Sequence, residues 1–87
     1  MSGKYRVLLE PRARKNLAHI DPVIRRRIGA AIDALCGDPR PAGCKPLKGG
    51  AGVLRTRTGD YRIVYSVDDG KLEVVIIDID HRRDIYR

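Results

Sequence analysis

The chain contains no tryptophan and no phenylalanine, and its aromatic residues are four tyrosines. RNA-binding domains that stack several bases on one sheet face need more aromatic side chains than this. The sequence also has no apolar run near the roughly 20 residues that span a bilayer, and no apolar stretch follows its charged N-terminus. We therefore expect a cytoplasmic protein without a membrane partner, in which any RNA recognition depends chiefly on arginine.

Cysteine and histidine are too few and too scattered to indicate a metal site. Cys36 and Cys44 have no second Cys or His pair at metal-ligand spacing, and no carboxylate cluster suits a hard cation. We expect no metal and no cofactor. Cys36 is interpreted as a buried thiol near a helix end, and a disulfide to Cys44 is disfavoured in a reducing cytoplasm.

Positive charge is what the sequence has in excess: 18 Lys and Arg stand against 11 Asp and Glu, which gives a formal charge of +7 on 87 residues. A field of this sign attracts polyanions. Nucleic acid is the first expectation. An anionic membrane surface is the weaker alternative, because it needs an apolar docking face that neither predicted helix can spare.

The pattern of elements predicts a single domain over residues 1–87. Pro11 suits the first turn of a short helix, and Asp21-Pro22 starts a second, amphipathic helix with Gly37 as its expected cap. The predicted strands are Lys4–Leu9, Val53–Thr58, Tyr61–Asp68 and Lys71–Asp80, with a loop at Asp38–Gly52. We expect an α+β fold of order β-α-α-β-β-β, a twisted, mainly antiparallel sheet with a helix hairpin packed on one face.

Two turn signals predict the strand register. Gly59-Asp60 suits a type II′ turn and Asp69-Gly70 a type I′ turn, each with two residues. These turns would pair Arg57 with Arg62, and Arg62 with Ile77. Because side chains alternate between faces, the face expected to pack on the helices carries Leu54, Thr56, Ile63, Tyr65, Val67, Leu72, Val74 and Ile76.

The opposite face is predicted to carry Arg55, Arg57, Arg62, Val75, Ile77, Ile79 and His81. Like charges directly across a strand pair cost a few tenths to ~1 kcal/mol, so three converging arginines favour an anionic ligand there. The planar guanidinium is well shaped to bind phosphate. Glu73 is the nearest carboxylate expected on this face. The competing interpretation is that these arginines are only solvated charges.

An RNA phosphodiester bound to this face could be cleaved without a metal ion. The ribose 2′-hydroxyl would attack the adjacent phosphorus, and fixed guanidinium groups would stabilise the charge of the transition state. His81 and Tyr86 are the expected proton-transfer groups. Alternatively, His81 is only a surface histidine at a strand end, and Tyr86 only an aromatic residue that anchors the chain terminus. The need for a 2′-hydroxyl would make the activity specific for RNA.

The stretch L-R-T-R-T-G-D-Y-R-I-V-Y from Leu54 to Tyr65 and the ending V-I-I-D-I-D-H-R-R-D-I-Y from Val75 to Tyr86 resemble the RelE toxins. The helix pair and the loop fit as well, so the likeness covers nearly the whole chain. It implies the toxin of a type II toxin–antitoxin system, a metal-independent endoribonuclease (mRNA interferase) that cleaves mRNA in the ribosomal A site. It also implies a RelB-like antitoxin as partner, and operator DNA only through the antitoxin complex.

The arginine face and the resemblance together give the expected site. The expected catalytic residues are Arg57, Arg62, His81, Arg82 and Tyr86. The expected RNA-binding residues are Arg55, Lys45, Lys48 and Arg83. The alternatives are a ParE-like protein, which shares the fold but poisons DNA gyrase, and a binding module that only holds phosphates. Arg25 to Arg27 of the second helix could bind either rRNA or an acidic antitoxin segment.

Overall fold

Over residues 4–47 and 52–81, which a computed structural model describes, the chain forms two helices and five strands. In chain order they are β1 (Arg6–Leu9), α1 (Pro11–Ala18), α2 (Pro22–Ala34), β2 (Lys45–Pro46), β3 (Val53–Thr58), β4 (Tyr61–Asp68) and β5 (Glu73–His81). The strands form one sheet of order β1-β5-β4-β3-β2, in which β1 runs parallel to β5 and the other neighbours are antiparallel. The predicted α+β fold is confirmed, and β2 lies where a loop was predicted.

The second helix begins where the sequence predicts. The side chain of Asp21 accepts a hydrogen bond of 3.0 Å from the backbone N–H of Val23, which satisfies one of the free amides of the first turn. The helix ends at Ala34, before the predicted cap Gly37, because the amides of residues 35–37 donate to carbonyls three residues back. This tighter final turn directs the chain into the loop that leads to β2.

One face of the sheet packs against both helices and forms the core. The core consists of Ala13, Ile20, Ile28, Ile32 and Leu35 from the helical half and Ile63, Tyr65, Val74, Ile76 and Ile79 from the sheet. Tyr65 is fully buried, and its hydroxyl donates a 2.8 Å hydrogen bond to the backbone carbonyl of Pro39. Burial raises the pKa of Tyr65. This bond fastens the loop after α2 to the centre of the sheet.

The turn between β3 and β4 is the predicted two-residue turn. Thr58 pairs with Tyr61 and Arg57 with Arg62, in the predicted register. Gly59 has a φ of 58°, which glycine adopts without the steric cost that a β-carbon would impose. The two arginines therefore face each other directly across the strand pair.

The turn between β4 and β5 is longer than predicted. Asp68 pairs with Glu73 rather than with Lys71, so the loop has the four residues Asp69–Leu72. Its last residue, Leu72, has a φ of 53° and lies in the left-handed region. The backbone N–H of Lys71 donates to the carboxylate of Asp68 at 3.0 Å, which closes the loop in this form.

Contacts from distant segments explain why a two-residue turn does not form at this position. Arg40 donates two hydrogen bonds, of 3.1 and 2.9 Å, to the carboxylate of Asp69, and the hydroxyl of Tyr5 donates a third of 2.7 Å. Hydrogen bonds from Arg40 and then Tyr5 lower the pKa of Asp69. The loop is therefore attached to the start of the chain and to the loop after α2.

A β-bulge interrupts the ladder between β4 and β5. Tyr65 pairs with Ile76, but the preceding residue of β4, Val64, pairs with Asp78. Ile77 is consequently an extra residue in β5 without a partner in β4. Such a bulge shifts the alternation of side chains beyond it by one position.

The bulge overturns the predicted faces of the last part of β5. Ile79 is buried in the core and His81 lies on the same, helix-facing side, whereas both were expected beside the arginines. Asp78 and Asp80 occupy the other face in their place. The predicted pairing of Arg62 with Ile77 is wrong, since Arg62 pairs with Asp80.

Replacing Leu72 should reveal the cost of its left-handed backbone. Leu72→Gly and Leu72→Ala both remove a partly exposed side chain, but only glycine adopts this φ freely. We expect Leu72→Gly to be more stable than Leu72→Ala by about 1 kcal/mol. Urea denaturation of the two variants measures the difference, and an alanine variant as stable as the glycine variant would contradict the prediction.

Removing the hydroxyl of Tyr65 should destabilise the fold, because the Pro39 carbonyl would lose its hydrogen bond in a buried position. We expect Tyr65→Phe to lower the free energy of unfolding by about 1 to 2 kcal/mol. Tyr61→Phe, a change on the same strand and the same face, is the matched control and should have a smaller effect. Equal losses in the two variants, measured by thermal or urea denaturation, would argue against this role of the hydroxyl.

Candidate functional site

The face of the sheet that points away from the helices carries a cluster of cations, which we call the basic face: Lys45, Arg55, Arg57 and Arg62. Arg57 and Arg62 are directly paired across β3 and β4, and Lys45 is directly paired with Arg55 across β2 and β3. The prediction that the three arginines converge is therefore confirmed. Two like-charged pairs side by side are unfavourable in the free protein and favour a bound anion.

The shortness of β2 leaves space beside these cations. Only two residues of β2 pair with β3, at Arg55 and Leu54, so the margin of β3 toward Thr58 is not covered by that strand. An open cavity of about 420 Å³ lies there, lined by Ala42, Gly43, Lys45, Arg55, Thr56 and Arg57. A nucleic-acid backbone can approach this margin because its phosphates would meet cationic side chains.

Asp80 partly neutralises one of the arginines. Its Oδ2 lies 2.9 Å from Nη2 of Arg62, and each of the two side chains is 23% exposed. Glu73, the carboxylate expected on this face, forms its ion pair with Arg6 of β1 instead. Within residues 4–47 and 52–81, Arg57 has no hydrogen-bonded or ion-paired carboxylate. The basic face therefore keeps an excess of positive charge.

Asp78 connects the same margin of β5 to α1. It accepts a 2.7 Å hydrogen bond from Nδ2 of Asn16, and Nε of Arg12 lies 3.7 Å from its other oxygen. Burial, and then the neighbouring Asp80, raise the pKa of Asp78. The two aspartates thus have different partners, one on a helix and the other on the basic face.

His81 lies on the other side of the sheet from the basic face. Its ring packs edge-to-face against Tyr61, with ring centroids 4.8 Å apart and planes at 87°. Both rings line a cavity of about 300 Å³ together with Ile24 and Ile28 of α2. The expectation that His81 lies beside the arginines is wrong, because the bulge at Ile77 turns it toward the helices.

Four of the expected site residues lie outside the described residues: Lys48, Arg82, Arg83 and Tyr86. Both cysteines are free, and Cys36 is half-buried rather than buried as expected. No three His, Cys, Asp or Glu side chains are grouped as metal ligands in the parts of the chain that the structure covers. Neither α1 nor α2, the two described helices, is long and apolar enough to cross a membrane.

Neither Asp80, which contacts Arg62 of the basic face, nor its neighbour Asp78 is predicted on this face by the sequence pattern. Strict alternation places Asp78 and Asp80 on the face of Val74 and Ile76, which is predicted to be buried against the helices. Two carboxylates in a core without partners would be costly. The two aspartates in the sequence therefore indicate a break in the alternation between Ile76 and Asp78.

A family model described as the ParE toxin of the type II toxin–antitoxin system, parDE, matches residues 7–86. The chain belongs to this toxin family. It is a RelE-like toxin, as the sequence motifs predicted. It is 39% identical to toxin RelG of Mycobacterium tuberculosis over an alignment 88 residues long, gaps included, which covers 95% of this chain and 97% of RelG. Toxin RelE of the same organism is 33% identical over an alignment 85 residues long, which covers 95% of this chain and 87% of that protein.

The fold of this RelE-like toxin is also similar to that of solved toxin structures. The toxin–antitoxin complex RelBE2 from M. tuberculosis contains a chain that superposes with a TM-score of 0.82 at 32% identity, covering 92% of this chain and 93% of that chain. The sequence comparison and the fold comparison therefore give the same assignment to the toxin family.

The raised pKa of Asp78 predicts a pH dependence of stability. The folded state binds this proton more tightly than the unfolded state, so stability falls as pH rises from the ordinary carboxyl value through the raised one. Asp78→Asn cannot ionise but still accepts the hydrogen bond from Asn16. We expect it to be more stable than the unmodified protein above this pH range and no more stable below it.

Urea denaturation at several pH values from about 3 to about 8 measures this difference, because that range begins below the ordinary pKa of a carboxyl group and ends above neutrality. Asp33→Asn, which removes an exposed carboxylate from α2, is the control and should not change the shape of the curve. A pH dependence for Asp78→Asn that matches the unmodified protein would refute the prediction.

Proposed function

We propose that this toxin is a metal-independent endoribonuclease that cleaves mRNA in the ribosomal A site and thereby inhibits translation. The observation that carries the proposal is the direct pairing of Arg57 with Arg62 on an open sheet face, flanked by the pair of Arg55 and Lys45. Its similarity to toxins named RelE and RelG over nearly the whole chain supports the same activity.

In this proposal, Arg57 and Arg62 bind the non-bridging oxygens of the scissile phosphate. The 2′-hydroxyl gives its proton to a water molecule and attacks the phosphorus, so that a 2′,3′-cyclic phosphate forms as the bond to the 5′-oxygen breaks and that oxygen takes up a proton. The two guanidinium groups stabilise the negative charge that accumulates on the phosphate oxygens. DNA lacks the attacking hydroxyl and would not be cleaved. Arg55 and Lys45 would hold neighbouring phosphates and so fix the position of the strand.

The remaining proposed roles belong to residues outside the described ranges, at Lys48 and at the end of the chain. Arg82 would add positive charge at the phosphate, and Arg83, with Lys48, would bind the RNA backbone. We assign the proton given to the leaving 5′-oxygen to Tyr86 in preference to His81, because His81 packs against Tyr61 on the helix-facing side. A cytoplasmic location on the ribosome follows from this proposed activity.

We also propose a RelB-like antitoxin as the partner that blocks the activity. The similar chain from M. tuberculosis was solved in a toxin–antitoxin complex, RelBE2. Operator DNA would be contacted only through the complex with the antitoxin. Arg25 to Arg27 on α2 add positive charge outside the basic face, which suits either rRNA or an acidic segment of such a partner.

Mapping of mRNA 5′ ends in a cell-free translation reaction tests the nuclease. We expect the purified toxin to produce cuts within translated codons, and Arg62→Ala to reduce them by about 100-fold or more, because one fixed donor to the transition state is lost. Lys71→Ala removes the same charge from the β4–β5 loop at the other end of the sheet. This control should cut like the unmodified protein.

The main alternative is a ParE-like protein that poisons DNA gyrase, which the ParE description of the matching family model favours. A DNA supercoiling assay with purified gyrase distinguishes it from the proposed nuclease. Absence of cuts together with impaired supercoiling would replace the proposed nuclease by a gyrase poison. Binding of RNA or ribosomes without cutting or gyrase inhibition would indicate a binding module.

A further inference from the structure

The three arginines of the basic face are not held equally. Arg62 donates a hydrogen bond to Asp80, and it is part of the ion pair in which both side chains are 23% exposed. In the described parts of the chain, neither Arg55 nor Arg57 has a hydrogen-bonded or ion-paired acceptor. A pair shielded to this extent is screened less by salt than a surface pair. Asp80 therefore restricts one guanidinium and leaves its neighbours free to adapt.

The contact with Asp80 leaves part of the Arg62 guanidinium available to a ligand. A guanidinium has several N–H donors in a fixed fork, and Asp80 accepts from Nη2. Nε of Arg62 is buried and has no hydrogen-bond acceptor among the described residues. A ligand would therefore meet the terminal N–H groups that Asp80 does not occupy, and the carboxylate fixes the plane in which they point.

The backbone is built so that Asp80 occupies this position. Without the extra residue Ile77, Asp80 would lie on the face of Ile76, and Ile79 would lie on the basic face. Asp78 is held on the same margin by Asn16 of α1, at 2.7 Å. The bulge thus places the Asp80 carboxylate beside Arg62, and the helix contact of the neighbouring Asp78 holds this part of β5 against α1.

We propose that Asp80 is a positioning residue of the ribonuclease site: it fixes Arg62 for the transition state at the expense of RNA affinity. The inference rests on the proposed function of Arg62. A carboxylate next to a phosphate site repels the bound RNA, which raises KM. A guanidinium that is already oriented stabilises the developing charge without reorganisation, which raises kcat.

The opposite effects on KM and kcat distinguish this role from a merely structural one. Asp80→Asn and Asp78→Asn each remove one negative charge from the same margin, but only Asp80 contacts Arg62. We expect KM for ribosome-bound mRNA to fall by a factor of about 2 to 5 in both variants. We expect kcat to fall by about 10- to 100-fold in Asp80→Asn alone. Asp80→Glu, which keeps the charge, should recover part of the loss.

Two further measurements test whether Asp80 acts through Arg62. In the Arg62→Gln background, Asp80→Asn should cause no further loss of kcat in single-turnover reactions. In the free protein, nitrogen-15 relaxation of Arg62 Nε should report a restricted guanidinium, and Asp80→Asn should release it whereas Asp78→Asn should not. The NMR spectra recorded for this experiment also show whether each variant is folded, and they do so without a measurement of activity.

The outcomes separate the two proposals. If the unmodified toxin cuts mRNA and Asp80→Asn keeps its kcat, the inference about Asp80 fails and the proposed nuclease stands. An equal loss of kcat from Asp80→Asn with and without Arg62 would also overturn it. If the unmodified toxin cuts no mRNA at all, the proposed function itself fails, and the positioning role fails with it.

Discussion

One face of the β4–β5 ladder must remain apolar along its whole length, because both helices pack on it. The sequence of β5 satisfies this requirement only up to Ile76, since strict alternation would next bury Asp78. The bulge at Ile77 shifts the alternation by one residue and returns Ile79 to the core. An extra residue without a strand partner costs less than two unpartnered carboxylates in a core of this size.

The same shift determines the chemistry of the opposite face. It brings Asp80 to Arg62, where the carboxylate offsets part of the repulsion from Arg57, and it removes His81 to the helix-facing side beside Tyr61. The core and the basic face are therefore coupled through one backbone irregularity. This margin of β5 therefore sets how much positive charge the basic face presents to a ligand.

Local signals in the sequence were sufficient to predict most helices and strands and one part of the site, the pairing of Arg57 with Arg62. Asp21 predicted the start of α2 because a cap depends on its own neighbours. Gly59 predicted the β3–β4 turn because a type II′ turn needs a positive φ at its first central residue. That turn alone fixes the pairing of Arg57 with Arg62. The motif around these residues also identified the toxin family, which the whole-chain comparisons confirmed.

The remaining features depend on contacts between residues far apart in the chain. Asp69-Gly70 would suit a two-residue turn, but Arg40 and Tyr5 hold Asp69 in a longer loop. The strand β2 forms along the edge that β3 offers, and β1 pairs in parallel with β5 at the far end of the chain, with α1 and α2 packed on one face of the sheet. The helices, the β3–β4 hairpin and the paired arginines follow from sequence patterns alone, since these features require only neighbouring residues. The carboxylate that meets Arg62 depends on the packing of the core, because that packing sets the alternation of side chains in β5.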